Sequence, residues 1–371
     1  MKDNKYDKKS IMRIAEECGL SVSSVQKILS NPFEFSHESA ERVHAIAYEL
    51  GLTQGDLTDG QLKLGVVIPC RPSYFWREAA QGMKRAQLDW EKERSKRISL
   101  VFTYYESPIT PDGARTLFDS LRSSDMDGYI VYPVCEPACV DFIRHKGADV
   151  PVVVFNESRA SFSEAVSESG ISANFAEGSF LGAATAFVGA DNAGEGRAAA
   201  MIIDSEIPHI RRVVTIITTD SSFSGAAKTR VGAFRSAVLQ KNPDVSFENI
   251  GLEVRSKITS AFLTRRLYEL HSEYPIDCVY TSSGVTNIAC AAIEKLKRRF
   301  GCDSIKTFCI GHEFSPSDKR YLLDGTQRGY VCQDIYAQGR SAVDIIMNCL
   351  TFSAPVGDLY CKSHVFIRTC L

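Results

Sequence analysis

Leu64-Gly65-Val66-Val67-Ile68-Pro69 is the stretch that decides the fold. Its apolar residues run without polar alternation until Pro69 stops them, as expected of a strand buried on both faces of a parallel sheet. An amphipathic helix follows over Phe75–Arg94. The pattern then predicts strand Ile98–Phe102, helix Thr110–Ser123, strand Tyr129–Tyr132, helix Pro137–His145 and strand Val152–Phe155. Strands alternating with helices read as βαβ units, hence a doubly wound α/β sheet.

A second series repeats the pattern. Its helices are expected near Asn192–Ile203, Thr229–Gln240, Ala261–Ser272, Val285–Lys297 and Tyr336–Leu350. Its strands are expected near Val213–Ile217, Gly251–Val254, Cys278–Tyr280, Phe308–Ile310 and Tyr330–Cys332. Two parallel-sheet lobes follow, one of about residues 64–203 and 334–352, the other of about 205–331 and 355–371. Ligands of such folds sit at the C-terminal ends of the strands, which places the expected cleft. Ser158–Val188, rich in Ser, Ala and Gly, has no assignable period and reads by default as a surface excursion.

Upstream the period is helical. Ser10 is positioned to cap a helix whose apolar residues are Ile11, Ile14 and Ala15, with Gly19 as its stop. Ser21 can cap a second, with Val22, Val25, Ile28 and Leu29 at helical spacing, ended by Asn31-Pro32. Ser36 can open a third, with Val43, Ile46, Ala47 and Leu50 inward. Short helices around a tight Gly-containing turn are the helix-turn-helix plan. The chain thus reads as an all-α headpiece (1–52), a linker (53–63) and a two-lobed core (64–371).

Composition fits an ordinary globular protein, 44% apolar and 24% charged, with net charge −2. Nucleic-acid contact would therefore rest on local charge, not on a global basic field. The polar start, Met1 to Lys9, predicts no secretory leader, and no run approaches the roughly 20 apolar residues of a membrane helix. A cytoplasmic location is expected. The 12 cysteines include no C-x-x-C, and Cys135 and Cys139 have no partner pair, so reduced, mostly buried thiols are expected and no metal. Dinucleotide, Walker, H-E-x-x-H and G-x-S-x-G signatures are absent, so neither a cofactor nor an enzyme is expected.

Several segments together resemble the LacI/GalR family of transcriptional regulators. Ile14-Ala15-Glu16-Glu17-Cys18-Gly19-Leu20-Ser21-Val22-Ser23-Ser24-Val25 resembles its helix-turn-helix, and Ser36-x-x-Ser39-x-Glu41-Arg42-Val43 its third helix. Leu64–Pro69 is similar to the first strand of its periplasmic-binding-protein-like core. Asp191-Asn192-x-x-x-Gly196-Arg197 and Arg230-Val231-Gly232-Ala233-Phe234 resemble further family segments. So do Gly311-His312-Glu313 and Gln333-Asp334-x-Tyr336-x-x-Gly339-Arg340. The order is that of the family from about Ser10 to Leu350.

The resemblance implies a repressor of a carbohydrate operon that binds operator DNA as a homodimer and is switched by a small neutral sugar or polyol. Val22, Ser23 and Lys27 match base-reading positions, with Ser24 beside them, and Ser10 and Ser21 could offer helix-start N–H groups to phosphates. Two departures stand out. Met1 to Gly51 holds seven Lys/Arg against eight Asp/Glu. The linker is short, acidic and Gly-broken, with Leu57 as the one candidate minor-groove wedge in place of a regular hinge helix.

At the sensing end, planar groups that meet two adjacent hydroxyls, together with aromatic faces, suit a sugar. The matched segments supply Phe75, Trp76, Asn156, Asp191, Arg230, Glu313 and Gln333, with Ser282 where many members carry Asn. Simpler roles stand beside these: core packing for Phe75 and Trp76, a helix cap for Asp191, a salt bridge for Arg230. With acids beside a single arginine, a phosphorylated effector fits less well. The alternatives are a sugar-binding protein without DNA regulation, a regulator responding to a purine or sugar phosphate, and an enzyme using Asp191 or Glu313 as base.

Overall fold

The computed structural model describes residues 8–30, 39, 42–43, 46, 61–71, 73–94, 96–134, 136–168, 185–218, 225–252, 257–301, 306–315 and 318–367. Helix α1 spans Lys8–Cys18 and α2 spans Val22–Ser30. Ile11, Ile14 and Cys18 of α1 close on Val25 and Ile28 of α2 and on Val43. Gly19 ends α1 at φ +66°, its N–H donating to Glu16 O at 3.2 Å and that of Leu20 to Ala15 O at 3.0 Å. This pair of bonds is a Schellman stop, which needs the left-handed conformation glycine adopts freely. Ser10 lies within the described helical span Lys8–Cys18 and not ahead of it, where a cap residue would stand. Most of the expected third helix, and Leu57 with the linker, lie outside the described residues.

Two compact units follow from the contacts: Met1–Glu157 with Gly170–Gly189 and Ile335–Leu359, and Ser158–Ser169 with Ala190–Asp334 and Tyr360–Leu371. The first sheet comprises β1 (Leu62–Pro69), β2 (Ile98–Tyr105), β3 (Gly128–Val131), β4 (Val152–Phe155), β5 (Thr185–Ala190) and β11 (Leu359–Cys361), in the order β11-β5-β4-β3-β1-β2. β1 begins at Leu62, so the linker yields two residues to the strand. It pairs in parallel with both β2 and β3, and residues 64–68 are buried, as the unbroken apolar run requires.

Helices α3 (Ser73–Arg94) and α12 (Ile335–Phe352) cross on this sheet. A Cβ on Gly82 would overlap the Tyr336 carbonyl, and one on Gly339 the Ala79 carbonyl. The two glycines let the backbones touch. Helix α4 (Pro111–Arg122) is capped by Thr110, whose Oγ1 accepts from Gly113 N at 3.1 Å, and buries Ala114, Phe118 and Leu121. Helix α5 (Pro137–Asp149) buries Phe142 edge-on to Tyr129, ring centroids 5.1 Å apart.

The second unit holds α6 (Arg159–Glu168), α7 (Asn192–Ile202), α8 (Gly225–Lys241), α9 (Lys257–Glu273), α10 (Thr286–Phe300) and α11 (Lys319–Asp324). Its sheet comprises β6 (Arg212–Thr218), β7 (Ser246–Leu252), β8 (Cys278–Thr281), β9 (Phe308–His312), β10 (Gln327–Gln333) and β12 (Ser363–Ile367), in the order β12-β10-β9-β8-β6-β7. β12 runs antiparallel to β10. α7 crosses α8 where a Cβ on Gly196 would overlap the Arg230 carbonyl oxygen, and Ala199 and Ala200 complete that contact layer.

Two expectations need correction here. The chain passes into the second unit at Ala190, not near residue 203, because α7 packs on α8 and not on the first sheet. Nor is Ser158–Val188 a plain surface excursion: it contains α6 and the start of the buried strand β5, with residues 169–184 outside the described ones. In each sheet the strand order reverses beside one strand, at β1/β3 and at β6/β8, which marks the C-terminal strand ends there as ligand positions.

Candidate functional site

Ser21 caps α2 as its sequence position predicts. Its Oγ accepts from Ser24 N at 3.0 Å and meets Ser24 Oγ at 2.8 Å. This bond satisfies one of the orphan N–H groups of the helix start. Val22, Ser23 and Lys27 are exposed on α2, and Ser24 is half-buried. Three candidate base-reading side chains thus share the outer face of a helix whose inner face is held by Val25 and Ile28.

In the first unit, Phe75 and Trp76 belong to the apolar core, both nearly covered. Trp76 lies edge-on to Phe75 and Tyr132, with ring centroids at 5.1 and 4.8 Å, and its Nε1 donates to Arg71 O at 2.8 Å. The packing alternative raised from the sequence accounts for all of these contacts. Part of the indole borders a concavity of about 410 Å³ between α3 and the end of β2, shared with Arg77, Lys84 and Tyr104. Asn156 follows β4 at φ +57°, and its Nδ2 donates to Oε1 of buried Gln338 at 2.9 Å. That left-handed turn carries the amide past the strand end.

In the second unit, Arg230, Ser282, Glu313 and Gln333 come together at the C-terminal edge of the sheet. Arg230 on α8 is buried, and its Nε donates to Glu195 Oε2 of α7 at 2.7 Å. Its Nη1 donates to Ser282 O at 3.1 Å. Burial opposes the guanidinium charge, yet Glu195 and Glu313 hold its pKa above the usual value. The other Glu195 oxygen accepts from Ser363 Oγ of β12. Behind this pair lies His312, whose Nε2 meets Tyr280 OH at 2.8 Å, while Nδ1 stands 4.0 Å from Glu195 Oε2. Burial and the neighbouring Arg230 hold the imidazole well below its ordinary pKa, so it stays neutral. Tyr280 in turn stacks on Phe234, centroids 4.1 Å apart.

Glu313 follows β9 at φ +58°, its backbone N–H donating to Val331 O at 2.9 Å. Its Oε1 accepts from Gln333 Nε2, also at 2.9 Å. The side chain remains partly exposed. Burial pushes its carboxyl up to about 7, with Glu195 adding to the rise and Arg230 and Gln333 opposing it. Ser282 is turned inward, its Oγ donating to Ile216 O at 3.1 Å, while its neighbour Ser283 accepts from Thr218 Oγ1 at 3.2 Å. Asp191 caps α7, accepting from Gly194 N at 2.8 Å, and is exposed 3.6 Å from Arg197.

Residues 64–353 match the family model described as periplasmic binding protein domain. The chain belongs to that family. No curated protein matches this periplasmic-binding-protein chain by sequence. Among solved structures it resembles a candidate LacI transcriptional regulator from Bacteroides fragilis, at 16% identity and TM-score 0.66, covering 84% of this chain and 98% of that one. It also resembles a glucose-galactose binding protein from Geobacillus stearothermophilus, at 20% identity and TM-score 0.62, covering 84% and 99%. A third is a carbohydrate transporter from Acidothermus cellulolyticus in complex with myo-inositol, at 16% identity and TM-score 0.62, covering 84% and 95%. At these identities the likeness is one of fold.

Within this periplasmic-binding-protein domain, sequence reading missed Glu195, Tyr280 and Ser363. Glu195 had a readable signal: an acid between Gly194 and Gly196 in the first turn of a helix, where small neighbours leave room for a partner. Arg230 forms the salt bridge that was its simpler reading, with Glu195 of its own unit. Carboxylate, guanidinium and amide groups at one strand edge make a donor and acceptor set suited to hydroxyls. No group of three metal-ligating side chains occurs among the described residues, and no described helix is long and apolar enough to cross a membrane.

Proposed function

We propose that this chain is a DNA-binding transcriptional regulator, a repressor of a carbohydrate operon, whose core binds a small unphosphorylated sugar or polyol. One observation carries the reading: two short helices, the second capped by Ser21 with Val22, Ser23 and Lys27 exposed on it, stand on the same chain as a periplasmic-binding-protein domain. A protein devoted to carriage alone has no use for Val22, Ser23 and Lys27 held on one exposed helix face. The sugar half draws support from the Arg230, Glu313 and Gln333 cluster and from the inositol-bound relative. In this reading the protein acts in the cytoplasm as a homodimer, since two-fold symmetry matches paired half-sites, and it catalyses no reaction.

Selection of DNA from a random pool by the full chain tests the first half. Enrichment of paired half-sites about one helical turn apart supports regulation; failure to enrich any sequence leaves a sugar-binding protein without a DNA role. A thermal-shift panel of sugars, polyols, sugar phosphates and purines tests the second half, because a ligand that binds only the folded state raises the melting midpoint. Response to sugar phosphates or purines alone would refute the proposed effector class.

A further inference from the structure

Among the described residues, the strand-end cluster of the second unit holds two carboxylates and one cation. Glu195 on α7 pairs with the guanidinium of Arg230 on α8, and Glu313 after β9 is close enough to feel its charge. Among the described residues, the other groups packed around Glu313 bring no positive charge. His312 of β9 is neutral, Tyr280 of β8 is a phenol held protonated by burial, Gln333 of β10 is an amide, and Ser363 of β12 a hydroxyl. Arg230 is committed to Glu195 at 2.7 Å. Glu313, the partly exposed member, is therefore left, among the described residues, with an amide as its hydrogen-bond partner and with no cation of its own. His312 Nδ1, buried behind the Arg230–Glu195 pair, has no hydrogen-bond partner among the described residues and stands 4.0 Å from Glu195 Oε2.

We infer that the effector bears an amine: a sugar or polyol whose ammonium group pairs with Glu313 while its hydroxyls meet Gln333 and the Arg230 edge. This rests on the reading of the core as a sugar site and narrows it. The ammonium would balance the second carboxylate, and a charge-assisted hydrogen bond in a partly desolvated setting is among the stronger polar contacts. Once Glu313 ionises, above about pH 7, a neutral sugar leaves the cluster one positive charge short. A sugar phosphate makes it worse.

Titration calorimetry on the full chain tests this with matched sets: glucosamine, galactosamine and mannosamine, each beside its neutral parent and its N-acetyl derivative. One amine is expected to bind at least about tenfold tighter than both of its relatives. Its affinity should rise as the pH increases from about 6 to about 7.5, as Glu313 ionises. Glu313→Gln should erase the preference. Gln333→Ala, which leaves the charge in place, should weaken amine and parent alike and preserve it, so the test survives if one variant folds poorly. A neutral parent or N-acetyl sugar that binds as tightly as its amine overturns the inference while the sugar reading stands. Absence of binding across all three classes overturns both.

Discussion

Arg230 Nε stands 2.7 Å from Glu195 Oε2, with only 8% and 1% of the two side chains exposed. A buried ion pair of this kind is costly to assemble but far costlier to break, because the survivor is a lone buried charge. Arg230→Ala should therefore lower stability by roughly 3–5 kcal/mol in urea denaturation. The double variant Glu195→Met/Arg230→Met should recover most of that loss. A single-variant cost under about 1 kcal/mol would mean that the pair is solvated.

Glu313 predicts an unusual pH profile. Its folded-state carboxyl titrates near 7, above the usual carboxylate value of 4.5, so the native state holds its proton more tightly than the unfolded one. Its contribution is full below the ordinary carboxylate pKa and is lost as the pH rises towards 7. Unfolding free energy should fall across that window by on the order of 2–3 kcal/mol, an amount Glu313→Gln should largely remove. Denaturation curves at several pH values read this directly.

Trp76 separates packing from binding. Its indole is covered by Phe75, Tyr132 and Phe155 and tied to Arg71 O. Trp76→Ala should cost about 3–5 kcal/mol of stability. Trp76→Phe should keep effector affinity within a few-fold. A large loss of affinity in a stably folded Trp76→Phe would restore the stacking role that its position suggested.

On the DNA side, Lys27→Ala should weaken binding. If the ammonium meets a phosphate, the loss is uniform across sequences and the salt slope drops by about one; if it reaches guanine, specificity relaxes at one position. Competition assays on selected duplexes at several salt concentrations distinguish the two.

How legible all this was in the sequence depended on the range of the interaction. Leu64–Ile68 announced a doubly buried strand because burial on two faces leaves a continuous apolar run. Gly19 and Ser21 announced a helix stop and a helix start because both act within a few residues. Gly196 and Gly339 were visible as motif positions, but their reason is a close crossing against Arg230 and Ala79, which no local pattern reveals. The same holds for Ser282, whose hydroxyl turns inward to Ile216, and for Ser363, which meets Glu195 from the opposite end of the chain. β5 was missed because its six buried residues, Thr185–Ala190, run on from a Ser-, Ala- and Gly-rich stretch that has no strand period. Ser10 misled because a serine ahead of a helix and one inside it look alike in sequence.

As a sugar-responsive regulator, the chain should couple sugar binding to DNA reading. Fluorescence anisotropy on a selected duplex, with the effector added to saturation, measures that coupling directly. The sugar should change the DNA dissociation constant by at least about fivefold, in either direction, and this change should be lost in Glu313→Gln. An identical DNA dissociation constant with and without saturating sugar would contradict this coupling.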